Sequence, residues 1–330
     1  MRRNPDSVRA PWLASISLSA LLACLGSVAA AAAAPADSGQ SAKTFAVRPE
    51  GRWTLVLYAT NGTARQRFTG FEHISDFAPL DDSSVLVAEE EGGRLTAVGF
   101  DGRLLFETPA RRPRCLQVLA PDRFLVCLDG PAAVAEIDRT GRVLWELAAP
   151  LVDAAGAVRL PDGNTAVVEG RSTSHAVRVF SPDGKLLWSG TDQLAQPRGL
   201  TLLPSGELVT SGFDTARIVF FQPYTNKVRT LQFCCHGDKP TSRDGAIIIA
   251  SNELQMVRGW DRDGKQSWEF STFYPPLQGM ALADGSVLVS EYRVPDRKCL
   301  NAAAAADWAR APLAPYWRSL LAGLGAAVLL

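Results

Sequence analysis

The sequence lacks net charge, because its 34 lysine and arginine residues are balanced by 34 aspartate and glutamate residues. Domains that bind nucleic acid or anionic membrane surfaces present an excess of positive charge, so the balance argues against both partners. The polar bias of a disordered chain is also missing, since 47% of the residues are apolar. The 330 residues therefore predict a folded protein with a sizeable core.

Metal ligands are scarce as well, with three histidines and six cysteines in the whole chain. Cys234, Cys235 and His236 are consecutive, which is too cramped for a closed zinc site with four separated ligands. No metal site and no cofactor are predicted, although a single divalent cation or a quinone is left open.

Residues 1–36 resemble an export signal, with a basic leader, an uncharged apolar run over 12–34, and small residues suited to cleavage near Ala36. Two alternatives stay open. An uncleaved run of this length could span a bilayer as an anchor, and "LLAC", which ends at Cys24, resembles a bacterial lipoprotein box. Each alternative places the rest of the chain in the periplasm or outside the cell.

Residues 37–45 read as a linker, and residues 294–330 as an Ala-rich helical tail with an uncharged apolar end. That end, Ser319–Leu330, would reach about 18 Å as a helix, which is short of a hydrocarbon core of about 30 Å. We expect an amphipathic helix packed on the domain. The alternatives are a truncated membrane anchor and, in a eukaryote, a lipid-anchor signal that is removed. Membrane association through either end is left open.

Two series of turns alternate between residues 46 and 293, each with a period of 38–43 residues. The first series separates two apolar runs, at Asp82, Asp122, Gly163, Gly206, Gly245 and Gly285. The second precedes a basic residue and an aromatic, as in "DGKLLWSG", at Gly62, Gly102, Gly141, Gly184, Asn226 and Gly264. Each period reads as four short strands joined by tight turns, which is one blade of a β-propeller.

The order of the turns predicts an all-β, six-bladed propeller. The chain opens on a second-series turn and closes on a first-series hairpin, so the two half-blades should combine into one composite blade that closes the ring. The fourth-strand aromatics Phe106, Trp145, Trp188 and Trp268 are expected to pack against the neighbouring blade. A break within 53–69 or 278–292 should open the whole ring.

The "GKLLW" endings resemble the PQQ-like repeats of quinoprotein-like propellers, and "QPRGLTLLPSGELVTSG" resembles the hairpins of NHL and gluconolactonase-like propellers. Both resemblances cover residues 46–293 and imply the fold rather than an activity. Quinone-dependent dehydrogenases are larger, eight-bladed rings. A looser resemblance to secreted arylsulfotransferases, which are longer and carry an additional domain, implies a histidine nucleophile and an arginine clamp at a channel mouth.

The candidate site is the face formed by the loops that enter each first strand and leave each second strand. His73 and His236 occupy the same place in two blades and are the catalytic candidates, with a structural role at the rim as the alternative. The ligand-binding candidates near that level, or at the ends of second strands, are Arg114, Arg198, Gln278, Glu89, Asp129, Glu169, Asp214, Glu253 and Glu291.

Cys115 and Cys127 flank the Asp122 hairpin almost symmetrically and are candidates for a disulfide across two strands, which export would permit. Cys234 and Cys235 could form a vicinal disulfide, or one of them could pair with Cys299.

The first functional hypothesis is an exported recognition module, expected to be monomeric, that binds a protein or a small molecule on its loop face. The alternatives are a hydrolase or transferase that uses His73 and His236, of the arylsulfotransferase or lactonase kind, and a membrane-anchored assembly scaffold. Whether the protein is an enzyme is left open.

The intact mass of the protein from its native compartment tests the predicted ends. Cleavage near Ala36 predicts the mass of residues 37–330, less two hydrogens for each disulfide, by denaturing mass spectrometry without reductant. A mass that retains residues 1–36 would contradict cleavage, and a mass increased by acyl chains on Cys24 would indicate a lipoprotein.

Overall fold

The computed structural model describes residues 43–46, 52–170, 176–190, 196–212, 217–232, 238–261 and 263–293. All regular structure within these ranges is β-strand. In the same ranges, no helix is long and apolar enough to cross a membrane.

The described strands, in chain order, are β1 (Lys43–Ala46), β2 (Trp53–Tyr58), β3 (Ala64–Phe71), β4 (Ile74–Asp81), β5 (Ser84–Glu89), β6 (Arg94–Gly99), β7 (Leu104–Pro109), β8 (Pro113–Ala120), β9 (Arg123–Leu128), β10 (Ala133–Asp138), β11 (Val143–Glu146), β12 (Ala154–Arg159), β13 (Thr165–Glu169), β14 (Val177–Phe180), β15 (Leu186–Gly190), β16 (Pro197–Leu202), β17 (Leu208–Gly212), β18 (Arg217–Phe221), β19 (Val228–Gln232), β20 (Thr241–Arg243), β21 (Ala246–Ser251), β22 (Met256–Trp260), β23 (Gln266–Ser271), β24 (Pro276–Ala281) and β25 (Val287–Tyr292).

These strands form the six blades of a β-propeller, which confirms the predicted fold. Blades 1 to 5 are β4–β7, β8–β11, β12–β15, β16–β19 and β20–β23, each numbered from the innermost strand outward. The sixth is the composite blade, in the order β24, β25, β2, β3, with β1 as a fifth strand on its outer edge. The ring is closed where β2 pairs antiparallel with β25, from Trp53 opposite Tyr292 to Tyr58 opposite Val287.

Apolar side chains fill the space between neighbouring blades. Between the composite blade and blade 1 lie the fully buried Leu55, Phe68, Phe71 and Phe77, among others. Comparable clusters join blade 1 to blade 2 and blade 3 to blade 4. Because each strand alternates its side chains between two blade faces, every blade contributes to two such clusters.

The outer strand of a blade is fastened to the second-series turn of the next blade. The indole Nε1 of Trp145 donates to the carbonyl of Pro182 at 2.9 Å, and that of Trp188 donates to the carbonyl of Thr225 at 3.0 Å. These contacts confirm that the fourth-strand aromatics pack between blades. Glycine is required in the turn, since Gly184 has φ of +85° and an added Cβ would lie 2.3 Å from the Ala148 carbonyl oxygen of the preceding blade.

A glutamine replaces this aromatic in the composite blade. Gln66 lies opposite Leu57 of β2, directly after a one-residue bulge in β3. Trp145 and Trp188 hold the same position relative to the third strands of blades 2 and 3. Its Nε2 donates to the carbonyl of Phe100, in the next turn of the same kind. The sequence pattern missed this contact because it was sought as an aromatic.

The innermost strands are also joined sideways. Ser75 donates to the carbonyl of Pro113, Thr201 to that of Pro240, and Thr241 to that of Gly279. The amide of Gln278 accepts from Phe77 N at 3.2 Å and donates to Phe77 O at 3.0 Å. This last pair ties the composite blade to blade 1.

Cys115 and Cys127 form a disulfide between opposed residues of β8 and β9, with their Cα atoms 4.8 Å apart. The other predicted cysteine pairings involve Cys234, Cys235 and Cys299, which lie outside the described residues.

The seam between β2 and β25 contains a buried acid. Glu291 is 1% exposed, and it accepts hydrogen bonds from the Tyr58 hydroxyl and from Tyr274 N at 3.2 Å. Burial raises the pKa of Glu291 to about 7, although Tyr58, the Tyr274 amide and the charge of Arg67 each act to lower it. Burial likewise raises the pKa of the Tyr58 hydroxyl.

Replacing Trp188 by Phe should lower the free energy of unfolding by about 1 kcal/mol, because the hydrogen bond to the Thr225 carbonyl is lost while most of the ring packing is kept. Replacement by Ala should cost about 3 kcal/mol. Denaturant unfolding measures both values. The exposed Leu186→Ser serves as the control, expected within about 0.5 kcal/mol of the wild type; equal effects of Trp188→Phe and Trp188→Ala would contradict the hydrogen-bond assignment.

Because its folded-state pKa is raised, Glu291 stabilises the fold at pH below its unfolded value of 4.5, and this stabilisation is lost as pH rises through about 7. The loss should be on the order of 3 kcal/mol, given about 1.4 kcal/mol per pKa unit. Glu291→Gln should remove this part of the pH dependence in thermal melts between pH 4 and 8. Parallel wild-type and Glu291→Gln profiles would contradict the assignment.

Candidate functional site

A cleft opens on the loop face between the composite blade and blade 1. It is lined by Arg52, Trp53, Phe71, Glu72, His73, Glu91 and Tyr292, has a volume of ≈ 480 Å³, and is named here the loop-face cleft. Its residues come from the start of β2, the end of β25, the loop from β3 into β4, and the loop that leaves β5. It therefore depends on the closure of the ring, which brings the two chain halves together.

His73 lies in this cleft with its ring against the third strand of the composite blade. Its ring centroid is 5.0 Å from that of Trp53, with the planes 29° apart, and Trp53 also contacts Tyr292 at 4.8 Å. His73 Nδ1 lies 3.5 Å from Glu90 Oε2 and 3.8 Å from Glu91 Oε1. The arrangement combines an aromatic stack with a carboxylate-flanked imidazole at a half-buried site.

The backbone explains why the imidazole is held there. His73 has φ of +46°, and its carbonyl accepts the amide of Glu90 at 2.9 Å. Arg112, with φ of +41°, occupies the same place in blade 2 and accepts from Asp129 N. A residue with positive φ thus recurs in the loop just before the first strand of a blade. The type of side chain at this position differs between blades. His236, the other catalytic candidate, lies outside the described residues.

Arg114 and Arg198 line a second, smaller cleft on the same face. Arg114 Nη1 pairs with Asp153 Oδ1 at 2.5 Å, and the space between Arg114, Asp153, Gly170 and Arg198 has a volume of ≈ 70 Å³. Arg198 is exposed. The structure therefore brings these two candidates together across blades 2, 3 and 4, and separates them from His73.

Three of the predicted acidic ligands are buried and serve as anchors for the entry loops. Glu89 accepts from the amide of Glu72 at 2.6 Å, Glu169 from that of Val152 at 2.8 Å, and Glu291 from that of Tyr274. Each glutamate is 1% exposed.

Arginines of the third strands hold two of these carboxylates in place. Arg94 binds Glu89 through Nε at 2.9 Å and Nη2 at 2.8 Å, and Arg178 Nη1 contacts Glu169. These repeated contacts fix the positions of the entry loops, and one of these loops lines the loop-face cleft.

The remaining candidates differ in their surroundings. Asp129 is half-buried, with Oδ2 3.5 Å from Arg112 Nη2, whereas Glu253 is exposed. Gln278 is 4% exposed and occupied by its bonds to Phe77. Asp214 lies outside the described residues. The proposal that these residues bind a ligand stays a prediction.

An ion pair between a half-buried lysine and a buried aspartate was missed by the sequence analysis. Lys239 Nζ of the loop entering blade 5 lies 2.5 Å from Asp76 Oδ2 in blade 1. Asp76 is 1% exposed and also accepts from Leu116 N of blade 2 at 2.7 Å. The pair joins blades that are not neighbours, so it crosses the inner side of the composite blade. An aspartate within the apolar run "ISDFAPL" is the one signal that could have pointed to it.

Among the described residues, no group of three or more His, Cys, Asp or Glu side chains is arranged to hold a metal ion. The loop-face cleft presents the stacked rings of Trp53 and His73 beside the charged side chains of Arg52, Glu72 and Glu91.

Solved structures show the same fold at low sequence identity. A protein of unknown function from Bacteroides caccae aligns with a TM-score of 0.53 and 16% identity, over 67% of this chain and 94% of that chain. Virginiamycin B lyase from Staphylococcus aureus aligns with a TM-score of 0.52 and 15% identity, over 72% and 81%. A chain of the nidogen/laminin complex aligns with a TM-score of 0.54 and 17% identity, over 73% and 98%.

No curated protein sequence matches the chain significantly. A family model does match, and it is described as outer membrane protein assembly factor BamB. The match covers residues 27–211, from before the composite blade to the second strand of blade 4, which is more than half of the 330 residues. The PQQ-like repeats and the β-propeller fold are consistent with this match, and the chain belongs to this BamB family.

Proposed function

We propose that the protein is an exported recognition module that binds a protein partner at the loop-face cleft. The composition of the cleft carries this proposal. Trp53, Tyr292 and Arg52 are of the residue types that dominate binding energy at protein interfaces, and they surround an open concave site.

The cell envelope is the proposed location. The family is described by its role in outer membrane protein assembly, and the N-terminal sequence reads as an export signal or anchor. The Cys115–Cys127 disulfide fits an oxidising compartment. An assembly scaffold tethered to a membrane by one chain end is a form of the same proposal, since tethering leaves the loop face available.

A hydrolase or transferase is the second candidate, and one observation favours it. His73 Nδ1 faces Glu90 and Glu91 at 3.5 and 3.8 Å, and a carboxylate beside an imidazole can orient it as a general base. On this alternative His73 would touch the substrate. His73→Ala should then abolish turnover, whereas on the binding proposal the variant keeps Trp53, Tyr292 and Arg52 and should lose only part of the partner binding.

Photo-crosslinking in the producing cells tests the binding proposal. A benzophenone amino acid at Arg52 or Glu91, both exposed at the cleft, should give one predominant crosslinked protein. The same amino acid at Asp122 or Asp162, in exposed first-series turns on the opposite face, is the matched control and should not yield that product.

A Trp53→Ala variant should reduce the crosslink from Glu91 at least tenfold, because alanine removes the aromatic centre of the cleft. The melting temperature of the variant is measured in parallel to establish that the ring is folded. Crosslinks of equal intensity from both faces, or a folded Trp53→Ala variant with an unchanged crosslink, would contradict the proposal.

A further inference from the structure

Exposed apolar side chains are concentrated at one structural position, far from the loop-face cleft. Of the eleven large hydrophobic residues that are exposed among the described residues, seven lie in the first two positions of a fourth strand. Six of them form pairs on three consecutive blades, and these are named here the apolar rim: Leu104, Leu105, Val143, Leu144, Leu186 and Leu187.

A β-bulge explains how both members of a pair reach solvent. In blade 1, Leu104 lies opposite Val98 and Phe106 opposite Ala97, so Leu105 has no partner residue. The same interruption occurs at Leu144 and Leu187. The bulge does not itself need apolar residues, because Arg65 and Ser267 occupy it in the composite blade and blade 5. The fold therefore leaves the apolar character of the rim unexplained.

One blade shows what the edge beyond such a bulge can bind. In the composite blade, β1 pairs parallel with Gln66, Arg67, Phe68 and Thr69 of β3, beginning directly after the bulge at Arg65. By register, Gln66 corresponds to Phe106, Trp145 and Trp188 at the outer edges of blades 1 to 3. In the described part of the chain, β7, β11 and β15 have no fifth strand.

We propose that the outer edges of blades 1 to 3 bind an extended segment of a partner polypeptide. The segment adds as a parallel strand in the register shown by β1, and its apolar side chains cover the pair beside it. Main-chain hydrogen bonds supply affinity in such strand addition, and alternate side chains supply selectivity for apolar residues.

The charges beside the rim favour a polypeptide over a lipid surface. Each pair follows a basic residue, Arg103, Arg142 or Lys185, and each turn also contains an aspartate, at 101, 138 or 183. Arg142 Nε lies 3.1 Å from Asp138 Oδ2. Arg139 is a second basic residue in the blade 2 turn, but its guanidinium stacks on the Phe106 ring and donates to the Pro121 carbonyl. The three turns together therefore have a net charge of only +1 with which to attract anionic headgroups.

Hydrogen exchange with a defined probe tests the proposal. The probe is a soluble peptide of alternating valine and threonine, and the control peptide has the same length with prolines in place of the valines. The probe should slow amide exchange in Phe106–Glu107, Trp145–Glu146 and Trp188–Gly190, where the edge is open. Exchange in β23, beside the polar Gln266 and Ser267, should not change.

Serine at all six rim positions should weaken probe binding about tenfold or more, by loss of apolar burial. The matched control replaces Val152 and Leu254, which are exposed apolar residues outside the rim, and should bind as the wild type does. Should the sixfold variant fold poorly, Leu104→Ser with Leu105→Ser is expected to abolish protection in β7 alone.

Three results would overturn the proposal: unchanged binding by a folded sixfold variant, protection confined to the loop-face cleft, or protection by the proline peptide. Rim-dependent sedimentation with vesicles of phosphatidylethanolamine and phosphatidylglycerol, without peptide protection, would assign the rim to lipid instead. The rim and the cleft are separate surfaces, so crosslinking at the cleft succeeds or fails independently of this test.

Discussion

The pairing of β2 with β25 is the contact on which the rest of the molecule depends. It joins residues 53–58 to 287–292 and turns a row of five blades into a ring of six. Without it, the apolar faces that now form the core between the composite blade and its neighbours would be open to water. The seam also assembles the loop-face cleft, because Trp53 and Tyr292 reach it from opposite ends of the chain.

Two sets of polar contacts hold the blades in register around this ring. On the outside, Gln66, Trp145 and Trp188 donate to carbonyl groups of the next blade. On the inside, Gln278 and the Asp76–Lys239 pair cross between blades. Buried glutamates then anchor the entry loops. Loop side chains that take no part in these contacts can differ between blades. His73 and Arg112 therefore occupy equivalent positions in blades 1 and 2.

The fold was predictable because short sequence motifs mark its repeat period. These motifs lie in turns, such as those at Gly184 and Gly285, that need positive φ. The site was predictable only in part. His73 was placed on the correct loop, but its contact with Trp53 depends on packing between two blades, which no repeat encodes. Lys239 and Asp76 are 163 residues apart, and their pairing follows from ring geometry. Gln66 was missed because the pattern names a residue type, whereas the contact requires only an N–H donor.

Native-state hydrogen exchange in increasing denaturant measures directly whether the seam couples the whole ring. Because closure stabilises all blades together, the slowest amides of β2 and β25 should open with the same free energy and denaturant dependence as those of β13 in blade 3, on the opposite side of the ring. If the composite blade opened at a clearly lower free energy while β13 stayed protected, the other blades would remain folded without ring closure. That result would contradict this account.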